Sequence, residues 1–299
     1  MGYYCRLLGV VLFGVLFGIK CQAQQESKVV YRDYTCQEAD LLDSLKREGL
    51  IASFKGINEL KQQVLMVKEN TPVNIKPCRE RKRKMTPEEI IERSRESVLT
   101  VNKYLRAMTG PEMVTGWATA VVLSGDGVCV TNYHVFWELL DSKVKLNPRD
   151  SIMFVATENG QVYPITEVLS FNRAADMAFF KIDTRGDVLV PMPLGRDLPV
   201  GANVHLLSNP EGYPYAYTQG VVSRTITLNP ADPFANRMEM TADFAKGSSG
   251  GPIMDDRGNM VAMVSCIRAI YYSQQPPYYL QMNVKLTVPV SSFKRLFLN

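Results

Sequence analysis

A mainly β domain preceded by a small α-helical N-terminal region is the fold the sequence predicts, and three observations carry it. Beyond about residue 97, short apolar runs recur at regular spacing. Tight-turn signatures separate several of them: Ser124-Gly125-Asp126-Gly127, Glu158-Asn159-Gly160 and Asp255-Asp256-Arg257-Gly258-Asn259. Residues 24–96, by contrast, set apolar side chains at helical spacing among charged ones.

In chain order, QEADLLDSLKRE reads as a helix stopped by Gly49, a residue free to adopt the left-handed conformation that ends helices. INELKQQVLMVKEN reads as a second, running from Ile57 to Asn70 ahead of Thr71-Pro72. Thr86-Pro87-Glu88-Glu89 opens a third. Thr86 caps it, Pro87 suits the first turn, and Glu89 completes a capping box. The strands follow: SVLTV from residue 97, then TAVVL and VCVTN around the first turn. IMFVA and QVYPI flank the second turn, and PIM and MVAMVSC flank the third. Short strands closed by such turns build antiparallel barrels or sandwiches.

A length of 299 residues with 46% hydrophobic and 21% charged residues buries a sizeable core in a soluble globular protein. The first 23 residues differ from the rest. Arg6 precedes LLGVVLFGVLFGI, followed by Lys20-Cys21-Gln22-Ala23, the pattern of a secretory signal peptide cleaved after Ala23. The apolar run is shorter than the ~20 residues of a spanning helix. Lipid attachment at Cys21 fits less well, because Lys20 stands where such signals want a small residue. The expectation is an exported protein, periplasmic or secreted. Losing Arg6 and Lys20 takes the formal charge from +4 to +2, which gives no reason to expect nucleic acid or a membrane surface as partner. The basic cluster Arg79–Lys84 reads as a solvated linker or, alternatively, as a processing site.

Cys36, Cys78, Cys129 and Cys266 remain after the leader. Cys36 with Cys78 would close the N-terminal region, and export permits a disulfide. Cys129 and Cys266 lie in apolar strand patterns and read as buried free thiols. With two histidines and no CxxC pair, no metal site and no other cofactor is expected.

Three segments carry chemistry. Lys246-Gly247-Ser248-Ser249-Gly250-Gly251-Pro252 offers Ser249 as a nucleophile on a sharply turned loop. The backbone N–H groups of Gly247 and Ser249 are the candidate oxyanion hole. Val130-Thr131-Asn132-Tyr133-His134 ends a strand on a histidine, whose imidazole changes charge near neutrality. Asp176 opens the apolar strand Met177–Ile182, where a carboxylate needs a partner, and the His134 ring would serve. Each has an ordinary structural reading: a glycine-rich hairpin, a histidine at a strand end, an Asp in a turn. The chain order His134, Asp176, Ser249 is one of a few orders in which this triad recurs.

TNYHV, AADMAFFKID and GSSGGP resemble the three active-site signatures of the trypsin-like serine proteases in their HtrA/Deg form. VGANVHLLSNPEGYPYAYTQGVVSRT and MNVKLTVPVSSFKRLF are similar to two further stretches of that family, so the resemblance spans roughly residues 97–299. It implies two six-stranded antiparallel β-barrels (the trypsin-like fold) with the site in the cleft between them. It also implies serine endopeptidase activity on polypeptide substrates through an acyl-enzyme. Asp243, Phe244 and Cys266 would border the primary specificity pocket, with Asp243 attracting basic side chains. Ser265 would sit beside the triad carboxylate and pair with bound peptide, and His205 would be structural. Two departures stand out. The family usually continues into PDZ domains, whereas this sequence stops at Asn299, and Ser248 stands where Asn is common. Residues 24–96 have no counterpart in the family: a pro-segment, an assembly element through which the chain oligomerises, an adaptor, or a plain packing layer. The alternative function is a peptide-binding or chaperone-like protein with weak or latent proteolysis controlled by that region.

Overall fold

Alternating and continuous apolar runs produce twelve antiparallel strands among the described residues of this computed structural model, which are 29–298 except 109 and 212. β1 (Val98–Leu105), β2 (Met113–Val122), β3 (Val128–Thr131), β4 (Asp150–Ala156), β5 (Val162–Asn172) and β6 (Met177–Ile182) close one barrel, in the order β1-β2-β3-β6-β5-β4. β7 (Asn203–Ser208), β8 (Ala216–Thr227), β9 (Asn236–Met240), β10 (Pro252–Met254), β11 (Met260–Tyr271) and β12 (Leu280–Pro289) close the other, in the order β10-β11-β12-β9-β8-β7. Closure leaves no edge strand around either ring. Residues 29–33, without helix or strand, belong to a separate unit from residues 34–298. The leader, its cleavage after Ala23 and lipid attachment at Cys21 lie outside the described residues. No helix among those residues is long and apolar enough to cross a membrane.

α1 (Gln37–Arg47) ends ahead of Gly49, which has φ 67°. α2 (Leu50–Ser53) follows at once. α4 (Pro87–Ser94) has the expected capping box, with the Glu89 N–H on Thr86 Oγ1 and the Thr86 N–H on Glu89 Oε2. α3 (Ile57–Val64) is shorter than its apolar spacing predicts. The competing interactions come from β5. Gln63 accepts from the Val168 N–H and donates to its carbonyl, while the Asn70 N–H donates to the Phe171 carbonyl. Residues 65–70 therefore leave the helix to follow that strand.

The helical region shares its core with the barrels. Ile57, Leu60 and Val64 of α3 enter the interior cluster of the first barrel with Leu99, Val101 and Phe180. Leu41 and Leu45 of α1 pack on Tyr104, Ile152 and Phe154. Ile90 of α4 joins Phe179, Met263, Val288 and Phe293 in a cluster with members from both barrels. Each such side chain contributes about 1.5–3 kcal/mol by leaving water.

The stretch between α3 and α4 departs from the solvated-linker expectation. The Val73 N–H donates to the Leu296 carbonyl and the Leu298 N–H to the Val73 carbonyl. The Arg81 N–H reaches Asn259 Oδ1 at 2.7 Å, and Met85 donates to Asp256. The basic cluster is thus stitched by its main chain to the β10–β11 turn, while the exposed Lys82, Arg83 and Lys84 pair with Glu80, Glu89 and Asp256.

The cysteine reading also needs correcting. Cys36 is exposed, Cys78 is partly buried, and both are free thiols, so the anticipated Cys36–Cys78 bond is absent. Cys129 is buried, and loss of solvation pushes its thiol well above the ordinary range. Cys266 is exposed, against expectation. The register of β11 shifts between Val264 and Cys266, and beyond Ile267 β11 and β12 run on past β9 as a two-stranded ribbon with most side chains exposed.

Candidate active site

β3 delivers the chain into a single helical turn, Tyr133–Val135, that lifts His134 out of the first barrel. Asn132, fully buried, anchors this turn by donating its amide to the Asp176 carbonyl at 2.8 Å. Asp176 ends the β5–β6 turn, its N–H on the Arg173 carbonyl, with φ 55°. A left-handed aspartate is uncommon and costs free energy unless its surroundings hold it there.

The surroundings do so with several bonds. The His134 N–H donates to Asp176 Oδ1 at 3.1 Å, and His134 Nδ1 lies 3.0 Å from both carboxylate oxygens. Ser265 Oγ, arriving on β11 of the second barrel, donates to Oδ2 at 2.6 Å. Behind the carboxylate, the Ala175 N–H donates to Asn172 Oδ1, and the Asn172 amide donates to Asn70 Oδ1 at 2.7 Å. The Arg173 N–H donates to Glu69 Oε1 at 2.8 Å. The Arg237 guanidinium on β9 donates to the Ala174 carbonyl. Burial lowers the Arg237 pKa, and the nearby Asp176 carboxylate opposes that shift.

The paired oxygens at Nδ1 select the tautomer with its proton there, which leaves Nε2 as an acceptor. Ser249 Oγ stands 2.8 Å from His134 Nε2. Asp176 is shielded, with 16% of its side chain exposed, whereas His134 is 45% exposed and opens to the cleft.

The serine loop is held mainly by backbone geometry. Ser248 is buried, its N–H on the Ala245 carbonyl and its carbonyl on the Gly251 N–H; Ser208 Oγ donates to Ser248 Oγ. Gly247 and Gly250 have φ 91° and 88°. A Cβ at Gly250 would lie 2.0 Å from the Thr119 carbonyl oxygen, and one at Gly247 would lie 2.4 Å from the Asn209 carbonyl oxygen. Thr119 of β2 clamps the loop from the first barrel: its N–H donates to the Ser249 carbonyl and its hydroxyl to the Gly247 carbonyl. Among the described residues, the N–H groups of Gly247 and Ser249 donate no hydrogen bond.

The residues expected at the specificity pocket are placed differently from one another. Phe244 is half-buried against the core of the second barrel. Cys266 faces water one residue past Ser265. Asp243 is 82% exposed, with Lys285 Nζ on its Oδ1 at 2.5 Å, so its carboxylate already has a cationic partner. His205 is buried between the Tyr217 hydroxyl and Asp256 Oδ1, a structural position. Sequence reasoning missed Glu69, Asn70, Thr119 and Arg237. None belongs to a motif, and each acts through the fold on a residue distant in sequence.

Residues 118–263 match the family model described as a trypsin-like peptidase domain. Over that stretch the chain is similar to that domain. "Protease Do-like 8, chloroplastic" of Arabidopsis thaliana is 31% identical over 163 residues, 52% of this chain and 36% of that protein. "Protease Do-like 5, chloroplastic" of the same plant is 30% identical over 50% of this chain and 48% of its own length. "Putative serine protease HhoA" of Synechocystis is 30% identical over 52% and 38%. The alignments thus span less than half of each relative. Among solved structures, an HtrA-type protease AlgW with decapeptide superposes with TM-score 0.54 and 18% identity, over 71% of this chain and 66% of that one. At that identity it speaks for the two-barrel trypsin-like fold alone.

Proposed function

We propose that this trypsin-like domain is a serine endopeptidase. The observation that carries the reading is the relay from Asp176 through His134 to Ser249, with contacts of 3.0 and 2.8 Å, beside two backbone N–H groups. Ser249 Oγ attacks the carbonyl carbon of a peptide bond as its proton passes to His134 Nε2. The carbonyl oxygen becomes an oxyanion held by the Gly247 and Ser249 N–H groups. Asp176 stabilises the imidazolium and keeps its orientation. The tetrahedral species collapses, the C–N bond breaks, and His134 returns its proton to the departing amine. Water then repeats the sequence on the acyl-enzyme, releasing the acid and restoring Ser249. The substrates are polypeptides, whose acyl side lies along β11 from Ser265 by strand addition. The signal-like leader supports export of the chain.

Replacing Ser249 with Ala tests the assignment. Peptidase turnover and labelling by a fluorophosphonate should fall by at least about 10³-fold while the melting temperature is kept. Undiminished turnover by the purified variant would overturn it.

A further inference from the structure

A cavity of about 430 Å³ lies beside the oxyanion loop, and five of its seventeen lining residues come from the helical region ahead of the peptidase-like sequence. Gly247 and Lys246 border it on one side and Gly116–Ala118 of β2 on another. Tyr34, Glu38 and Leu41, from the start of the helical region, close it. The Glu38 carboxylate is fixed there by the Gly116 N–H, which donates to Oε1 at 2.7 Å. Trp117 is fixed by its indole N–H on the Val135 carbonyl, one residue past His134.

Its position decides which part of a substrate reaches it. A peptide with its carbonyl oxygen on the Gly247 and Ser249 N–H groups and its acyl side along β11 must send its other half past Gly247 toward β2. The cavity therefore receives the residues that follow the cleaved bond. Its chemistry decides their type. Leu41, Trp117 and Pro214 offer apolar surface, and Glu38 and Glu211 offer carboxylates. Lys246, the one cation among the lining residues, pairs with Glu211 at 3.1 Å, so the two carboxylates leave the lining one negative charge in excess. An aliphatic stem ending in a cation fits both features.

Resting on the serine-protease reading, we propose that residues 34–41, with Trp117 and Glu211, form a leaving-group subsite. It selects Lys or Arg at the first position after the cleaved bond. The helical region then takes part in specificity as well as in packing.

Acyl transfer to added amines reads this side of the site alone. An activated ester loads Ser249, and the amine nitrogen of an amino-acid amide attacks the acyl carbon. The bond to Ser249 Oγ breaks, and the amine proton passes through His134 to that oxygen. Argininamide and norleucinamide compete in one tube for the same acyl-enzyme, so their product ratio is independent of overall rate. The ratio should favour argininamide and decline as salt rises. Glu38→Gln keeps an oxygen for the Gly116 N–H but removes the charge, and should lower the ratio about threefold, with Glu38→Asp retaining most of it. A ratio near unity in the unaltered protein, or one indifferent to both Glu38→Gln and Glu211→Gln, would overturn the subsite while leaving the protease standing. Absence of any ester turnover would overturn both.

Discussion

In the first barrel, His134 and Asp176 are fixed largely by side chains: Asn132, Asn172, Ser265 and the imidazole and carboxylate on each other. In the second, Ser249 is fixed by main chain: two left-handed glycines, carbonyls clamped by Thr119, and turns closed by N–H groups. The difference follows from what each half supplies. A base and its partner must be oriented about freely rotating bonds, which takes directional hydrogen bonds. An oxyanion hole is made of backbone, so only backbone conformation can aim it.

That contrast can be broken by substitution. On the first barrel, Asp176→Asn should cost the most, about 10⁴-fold in kcat, because an amide at that position favours the wrong imidazole tautomer. A loss below tenfold would mean that the ring is oriented by something other than the carboxylate. On the second, Gly247→Ala changes no reacting side chain, yet its Cβ meets the Asn209 carbonyl and its φ is strained. A loss of about 10²–10³-fold in kcat, the size of a lost oxyanion donor, is expected. Full activity would show that the loop is not governed by that glycine.

The halves also differ in cover. Helices α1 and α3 sheathe the first barrel, whereas the β11–β12 ribbon of the second leaves Ile270, Tyr272 and Met282 in water. Leu60→Ala, at 1% exposure, should destabilise the protein by about 2–5 kcal/mol in denaturant titration. Tyr272→Ala should stay within about 0.5 kcal/mol. Equal costs would mean that the helices only rest on the barrel.

The smallest effect concerns acid. Burial raises the Asp256 pKa, but hydrogen bonds from His205, Lys84 and Asn203 outweigh it and hold the carboxyl below its ordinary value. A depressed folded-state pKa gives stability that is present above the unfolded value, about pH 4, and lost as the pH falls through the folded one. Melting of Asp256→Asn against the parent should show a gap of under about 1 kcal/mol near neutrality, closing below about pH 4. A gap that widened in acid would reverse the sign of this contribution.

The legible parts of the sequence were local. Ser124–Gly127 closes its hairpin as read, and the Thr86–Glu89 box caps its helix. The glycines around Ser249 announce a strained loop within a few residues, and the likeness of five ordered segments to one family supplied the two-barrel architecture. What stayed hidden depends on partners far along the chain. Nothing at Gln63 foretells that its amide will join β5 and end α3, and nothing at Cys266 foretells the register shift that turns it outward. Strands β8 and β9 are mixed in polarity, since much of β8 faces water, so periodicity alone marks them weakly.

The stitched segment from Val73 to Met85 has a mechanical meaning. α3, just ahead of it, is embedded in the first barrel, and the segment itself is sewn to the β10–β11 turn and the C-terminal residues beside the second. It acts as a tie-rod across a joint of two plates. Rotation that widened the joint would load these main-chain bonds together, in shear along the seam, before the 2.8 Å gap between His134 and Ser249 could open far. The tolerance of the joint is set partly by a stretch of chain that supplies no side chain to the His134–Ser249 pair.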